Sequence, residues 1–368
     1  FFQLAPPQLV SNVMVEGIEC IEFRPSPDYS PITIAFKQQY LIIAVGEKTL
    51  PGLLQRGTTP PPQWLLDAKE QVDVPRLASL GYCDLTAVTE LIAELANDDR
   101  TQAVMATLGI LDLQTAVSAT GLDQTGFVSR SKISTADPGR GVLGLVSQKP
   151  LVPDDLSGIP QNATIAVAVR MDLAEVLDRT LSMLGEIEPK LANDVRVGMQ
   201  QMNESLGFDV QTEFGEALGD VWTLHAAPQG GGLLAGWTLT VSLNNADQAV
   251  EIQDRIVKFL RAIIELQRRG PVLREFKHLG ETIHSLEIPD NDVFVAPSWC
   301  LTDSHLVVTL LPQTLKSYLR RDDSQPSLAE HPAVAKLLDE KIGPSSVSFQ
   351  DVREQFVTFY PLLQYGAQ

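Results

Sequence analysis

The chain has 368 residues, 44% hydrophobic and 20% charged, a globular composition long enough for one large domain or two. Asp and Glu outnumber Lys and Arg by 46 to 28, giving a formal net charge of −18. Such a surface repels phosphate backbones and anionic lipid, so nucleic acid is not an expected partner. The longest apolar runs, YLIIAV (40–45) and ATIAVAV (163–169), are strand-sized and far short of the roughly 20 residues that cross a bilayer, so no transmembrane segment is expected.

Residues 1–16 read as an N-terminal tail, and 17–148 as a first α+β region. Within it, the apolar strand 41–45 leads into EKTLPGLLQR (47–56), and PQWLLDAKE (62–70) reads as a helix opened by proline. ASLGYC (78–83) then runs as a strand into Asp84, followed by helical spacing and the tetrapeptide Leu-Ala-Asn-Asp at 95–98. Leu108-Gly109 and a further strand-like run follow. SQKPLVPDDLSGIPQ (147–161), with three prolines and a glycine, predicts a linker, placed at 149–161.

The second α+β region, 162–368, repeats the order: strand TIAVAVR (164–170), Asp172, helix, Leu-Ala-Asn-Asp again at 191–194, then Leu206-Gly207. One shared tetrapeptide means little, but several matches in the same order indicate an internal duplication. VWTLHAA and LAGWTLTVSL (221–227 and 234–243) read as strands around a Gly-rich hairpin loop. A phosphate-cradling loop would instead lead into a helix.

ADQAVEIQDRIVKFLRAIIELQRRG (246–270) predicts a long helix near 246–269 with Ile252, Ile256, Phe259 and Ile263 on one core-facing side. After paired strands over 292–311, PQTLKSYLRR (312–321) matches EKTLPGLLQR in Thr-Leu, a later Leu and a closing Arg. The proline-opened helix HPAVAKLLDEK (331–341) then matches the one at 62–70. SSVSFQDVREQF (345–356) begins a third strand–Asp–helix block at Asp351, within 345–368. Short turns between neighbouring strands imply mostly antiparallel sheets packed with helices: an α+β fold, internally duplicated.

Asp84, Asp172 and Asp351 are read as helix caps, whose carboxylates accept unpaired N–H groups of a first helical turn. Glu175 and Glu354 follow at capping-box spacing, where Asp84 has Ala87. His225, His278, His284, His305 and His331 form no zinc pattern, although His278 and His284 could meet on adjacent strands. Asp98/Asp99, Asp154/Asp155, Asp290/Asp292 and Asp322/Asp323 read as solvated turns, with the Pro289–Asp292 turn also weighed as a calcium loop. Trp64, Trp222, Trp237 and Trp299 read as core residues. No nucleophile elbow, dinucleotide fingerprint or P-loop occurs, so no catalytic residue, metal or cofactor is assigned. Cys20, Cys83 and Cys300 make no disulfide framework, though one bridge is compatible with their number. The chain begins Phe-Phe-Gln, so any signal or anchor is expected outside it.

The stretches YLIIAVGEKTLPGLL, GYCDLTAVTELI, IPQNATIAVAVRMDL and ESLGFDVQTEFGEALGDVWTLHAA together resemble an uncharacterised family of bacterial extracytoplasmic proteins, a domain of unknown function. The resemblance implies export and no known reaction. The expected function is therefore a non-enzymatic extracytoplasmic binding or assembly module, with a protein or cell-envelope component as partner. Two alternatives stand beside it. One is a hydrolase of glycans or peptides using a distant carboxylate pair; the other is a carrier of an apolar ligand.

Overall fold

Alternating side chains in VSNVMVEGIECIEF fold back at Glu16-Gly17, both at positive φ (47° and 77°), the geometry of a two-residue hairpin turn. They form β1 (Val10–Val15) and β2 (Ile18–Phe23), which continue into β3 (Ile32–Lys37) and β4 (Tyr40–Val45) as a four-stranded antiparallel meander. This computed structural model describes residues 9–360 except 25, 27–28, 39, 58–59, 97, 123–126, 146–148, 267–269, 289–294, 323, 340–342 and 358–359. The chain divides into two units, Phe1–Tyr82 with Val117–Lys132, and Cys83–Ala116 with Ile133–Gln368.

In the smaller unit, helix α1 (Thr49–Arg56) seals one face of the meander. Its Leu50 and Leu54 pack with Cys20, Ala35 and Ala44. After α2 (Gln63–Gln71) comes β5 (Arg76–Asp84), which later joins β6 (Leu113–Leu122) and β7 (Phe127–Thr135) in a three-stranded sheet ordered β5-β6-β7. Ala68, Val72, Val74, Val117 and Ala119 make a second small core.

The larger unit carries α3 (Leu85–Ala96) and α4 (Asp99–Thr107), then β8 (Ile165–Arg170), α5 (Leu173–Ile187), α6 (Pro189–Leu206) and the single turn α7 (Gly215–Ala217). β9 (Leu218–Ala226), the four-residue α8 (Gly232–Ala235), β10 (Trp237–Leu243) and α9 (Ala246–Glu265) follow. Last come β11 (Val272–His278), β12 (Glu281–Glu287), β13 (Ser298–Leu301), β14 (His305–Thr309), α10 (Pro312–Leu319), α11 (Pro332–Leu338) and β15 (Ser346–Gln350). Eight strands make one antiparallel sheet, ordered β11-β12-β13-β14-β10-β9-β8-β15. The fold is α+β with antiparallel sheets.

Several sequence expectations take a different form. The proline-rich segment read as a linker is built into the larger unit: Leu151, Leu156 and Ile159 are fully buried with Ala166, Val221 and Leu328. Its prolines shape a 3₁₀ turn, Pro153–Leu156, rather than a free tether. The two Leu-Ala-Asn-Asp stretches occupy different places. The first ends α3, with Asp98 capping α4, while the second lies inside the first turns of α6. Leu-Gly is the better marker, since Gly109 and Gly207 both adopt left-handed φ (72° and 74°) where α4 and α6 end. The Gly-rich hairpin loop contains one helical turn, α8. The apolar stripe of α9 is buried in its first half, at Ala249 and Ile252, whereas Ile263 is exposed.

The meander β11–β14 follows β1–β4 closely. Its first turn, Leu279-Gly280, again has two positive φ values (54° and 97°). Cys300 pairs with Val307 as Ala35 pairs with Ile42, and buried Leu315 of α10 takes the place of Leu50 of α1. Among the described residues the three cysteines are free thiols, Cys20 and Cys300 buried and Cys83 exposed.

Candidate functional site

The three sequence-predicted acids each hold helix N–H groups. Asp84 accepts from the Ala87 N–H at 3.1 Å and Asp172 from the Glu175 N–H at 3.0 Å. Asp351 accepts from the Arg353 and Glu354 N–H groups, both at 3.0 Å. The Glu175 carboxylate departs from the capping-box expectation: it binds Arg179, one turn on, at 2.8 Å. Asp172 follows the end of β8 and Asp351 follows the end of β15, and these strands run antiparallel, with Gln350 opposite Ile165. The two carboxylates therefore stand beyond opposite ends of the pair, separated by the full length of β8, roughly 16 Å of strand, and do not share a cleft. Asp172→Ala should lower stability by about 1 kcal/mol in urea titrations, the usual cost of losing such a cap.

Other predicted groups also separate. His284 lies opposite Glu275 and His278 opposite Glu281, three rungs away on the other face of the sheet, so the two histidines do not meet. Asp155, expected as a solvated turn residue, instead grips Arg170 at 2.7 Å with its side chain only 12% exposed. Asp98 and Asp322 hold local turns through Thr101 and Ser324. Asp290, Asp292 and Asp323 lie outside the described residues. Trp222 and Trp237 donate to the Met171 and Leu233 carbonyls, and Trp299 stacks on His284 at 5.3 Å. Trp64 is half exposed beside Tyr82, against the core expectation.

What the structure does assemble is a cleft of about 470 Å³ in the larger unit, where the end of β9 meets α10. Gln161, His225, Gln229, Tyr318, Arg321 and Gln325 line it. Its geometry follows from local packing. Thr314, one turn into α10, donates to the Gly230 carbonyl at 2.7 Å and is also 3.1 Å from the Ala235 carbonyl oxygen, while Leu315 anchors the helix in the core. Gly230 permits the approach, because a Cβ there would lie 3.2 Å from the Thr314 methyl group, and Gly236 lets the loop close on itself, where a Cβ would lie 2.6 Å from the Gly232 oxygen. Tyr318 then projects from the next turn, and Arg321 from the chain just past the helix end. His225, one residue from the end of β9, sits between Ala166 and Thr238 on the neighbouring strands, its ring 6.5 Å from that of Tyr318.

Arg321 fastens the rim. Its Nη1 donates to the Ser157 carbonyl at 2.8 Å and its Nη2 to the Pro326 carbonyl at 3.2 Å, while Nε is buried with no partner among the described residues. His225 Nδ1 is likewise buried and unpartnered. Burial, with the nearby Arg321 cation, pushes His225 down to about 4, and burial pushes Tyr318 up to about 12. At neutral pH the cleft thus presents a neutral imidazole, a neutral phenol, side-chain amides and one guanidinium, with no carboxylate among the described residues that line it. That set, with the Thr238 and Ser317 hydroxyls that also line the cleft, can orient and hydrogen-bond a polar ligand.

Of these residues, sequence reasoning singled out His225, only to test it for metal spacing, and Arg321 as a repeat marker. The available signal was a histidine inside an otherwise apolar strand, VWTLHAA. No family model matches the chain, and neither a curated protein nor a solved structure is significantly similar to it.

Proposed function

We propose that the protein is a non-enzymatic extracytoplasmic binding module of duplicated α+β blocks, and that the cleft between β9 and α10 holds its ligand. The observation that carries this reading is the cleft itself: His225 and Tyr318 are held neutral beside the Arg321 cation. Such a site suits a small polar ligand with a carboxylate or carbonyl, which takes hydrogen bonds from amides and charge from the guanidinium. The matching registers of β1–β4 and β11–β14 support duplication. The helix-capping roles of Asp84, Asp172 and Asp351 fit a scaffold whose shared acids are structural. The export expectation rests on the family resemblance, and fractionation of native cells with an antibody to this chain checks it.

The test is a thermal-shift screen of the intact chain against carboxylic acids, amino acids, short peptides and oligosaccharides, followed by calorimetry. A saturable carboxylate or carbonyl ligand is expected, weakened about tenfold or more in Gln229→Leu, which removes an amide without touching the Arg321 contacts. Hydrolysis of chromogenic esters or glycosides that disappears in His225→Gln would overturn the reading in favour of the hydrolase.

A further inference from the structure

The meander β1–β4 has a second face, opposite the one sealed by α1. Register and alternation put Ile21, Ile34 and Ile43 on one rung of it, and Phe23, Ile32 and Val45 on the next. Met14, Phe36 and Leu41 share a third rung with Glu19, the one charged residue among these rungs. Met14, Phe36, Leu41, Ile43 and Val45 are between 56% and 69% exposed. A face this apolar and this open marks an interaction surface.

The same molecule shows what covers such a face. In β11–β14 the corresponding positions are His284, Trp299 and Val308 on one rung, and Leu301 and Leu306 on the next. That face is occupied by α9: Leu301 packs in the cluster of Ile252 and Ile256, and Arg261 bonds Glu275 at 2.8 Å. The opposite face of each meander is closed in the same way, by α10 over Cys300 and Val307 and by α1 over Ala35 and Cys20. The face in β1–β4 is the more apolar of the two, with Ile21 where His284 stands and Asn12 where Glu275 stands.

We infer that the open face of β1–β4 is a docking surface for an amphipathic α-helix of a partner polypeptide. That helix lays an Ile/Leu stripe of i, i+4, i+7 spacing across the Ile21–Ile34–Ile43 rung and sets a Lys or Arg toward Glu19. The mode is helix-in-groove recognition, as α9 performs inside the chain. The inference rests on the correspondence of the two meanders and is independent of the cleft ligand.

The probe is a synthetic peptide with the α9 sequence, residues 245–266, used beside a variant carrying Leu at 252, 256, 259 and 263. Both are titrated into the intact 368-residue chain. Saturable binding is expected, with gain of peptide helicity by circular dichroism and slowed amide exchange across residues 10–45. Ile43→Asp should weaken it at least about tenfold, because a carboxylate is then buried against the stripe. Ile43 is solvent-exposed, so an unchanged urea midpoint shows that the fold is kept, and Phe36→Lys serves as a second variant. Three results would overturn the proposal. One is failure of both peptides to bind; another is concentration-dependent dimerisation abolished by Ile43→Asp, which assigns the face to a second copy. The third is co-sedimentation with phosphatidylglycerol–phosphatidylcholine vesicles abolished by the same change, which assigns it to lipid. None of these outcomes touches the cleft, whose own screen fails or succeeds separately.

Discussion

Replacing Arg170 by alanine is expected to destabilise the larger unit by about 3 kcal/mol, near the lower end of what removing one partner from a buried ion-pair network costs. Arg170 closes β8 and reaches three places at once. Its Nη2 meets Asp155 and its Nη1 meets Asp220, both at 2.7 Å, while Nε donates to the Pro150 carbonyl at 2.9 Å. The side chain is 15% exposed, and Asp155 12%. Alanine would leave the Asp155 carboxylate, only 12% exposed, without its cation, leave Asp220 with Lys149 at 3.8 Å, and remove the polar tie between the proline-rich segment and β8. Thermal melts should fall by roughly 6–12 °C for a unit of this size. Arg170→Lys keeps the charge but not the three-way fork, so it should recover less than half of the loss. A loss below 1 kcal/mol for alanine would mean that the network adds little beyond surface pairs.

The second large effect is the response to acid through His225. Its folded-state value, about 4, lies below the ordinary 6.5 because the ring is buried beside a cation. The unfolded chain therefore binds a proton between pH 6.5 and 4 that the folded chain refuses, so stability falls as pH drops through that window. The depression corresponds to on the order of 3 kcal/mol. His284 and His305 are lowered by burial as well and act in the same direction. Because other groups also titrate, the measurement is the difference between wild type and His225→Gln in urea at pH 7.5, 5.5 and 4. The variant should gain steadily on the wild type as pH falls. A constant difference across the three pH values would contradict the buried neutral ring.

Local physics made much of the fold legible. The start of α9 is written in Asn245, whose side chain accepts from the Gln248 N–H at 3.1 Å. The ends of α4 and α6 are written in Leu-Gly, and the caps of three helices in Asp84, Asp172 and Asp351. Each depends on neighbours within four residues. The misreadings share the opposite character. Proline density at 149–161 said only that the segment is irregular. That it is buried depends on Leu328, Val334 and Val347, nearly two hundred residues later. Asp155 looked solvated because its partner, Arg170, lies across a strand. The repeated Leu-Ala-Asn-Asp misled because α6 is twice as long as α4, with 18 residues against 9, so the tetrapeptide falls at a different turn.

By itself, then, the order of residues determined the α+β class, the antiparallel hairpins, the helix ends and the acidic surface, since these arise from backbone preference, side-chain alternation and total charge. Only the tertiary structure decided that His225, Tyr318 and Arg321 share a cleft and that one meander keeps an open apolar face. The cleft depends on contacts between segments 79 to 164 residues apart, the open face on whether any other segment covers it, and no local spacing records which distant strand or helix will arrive over a given side chain.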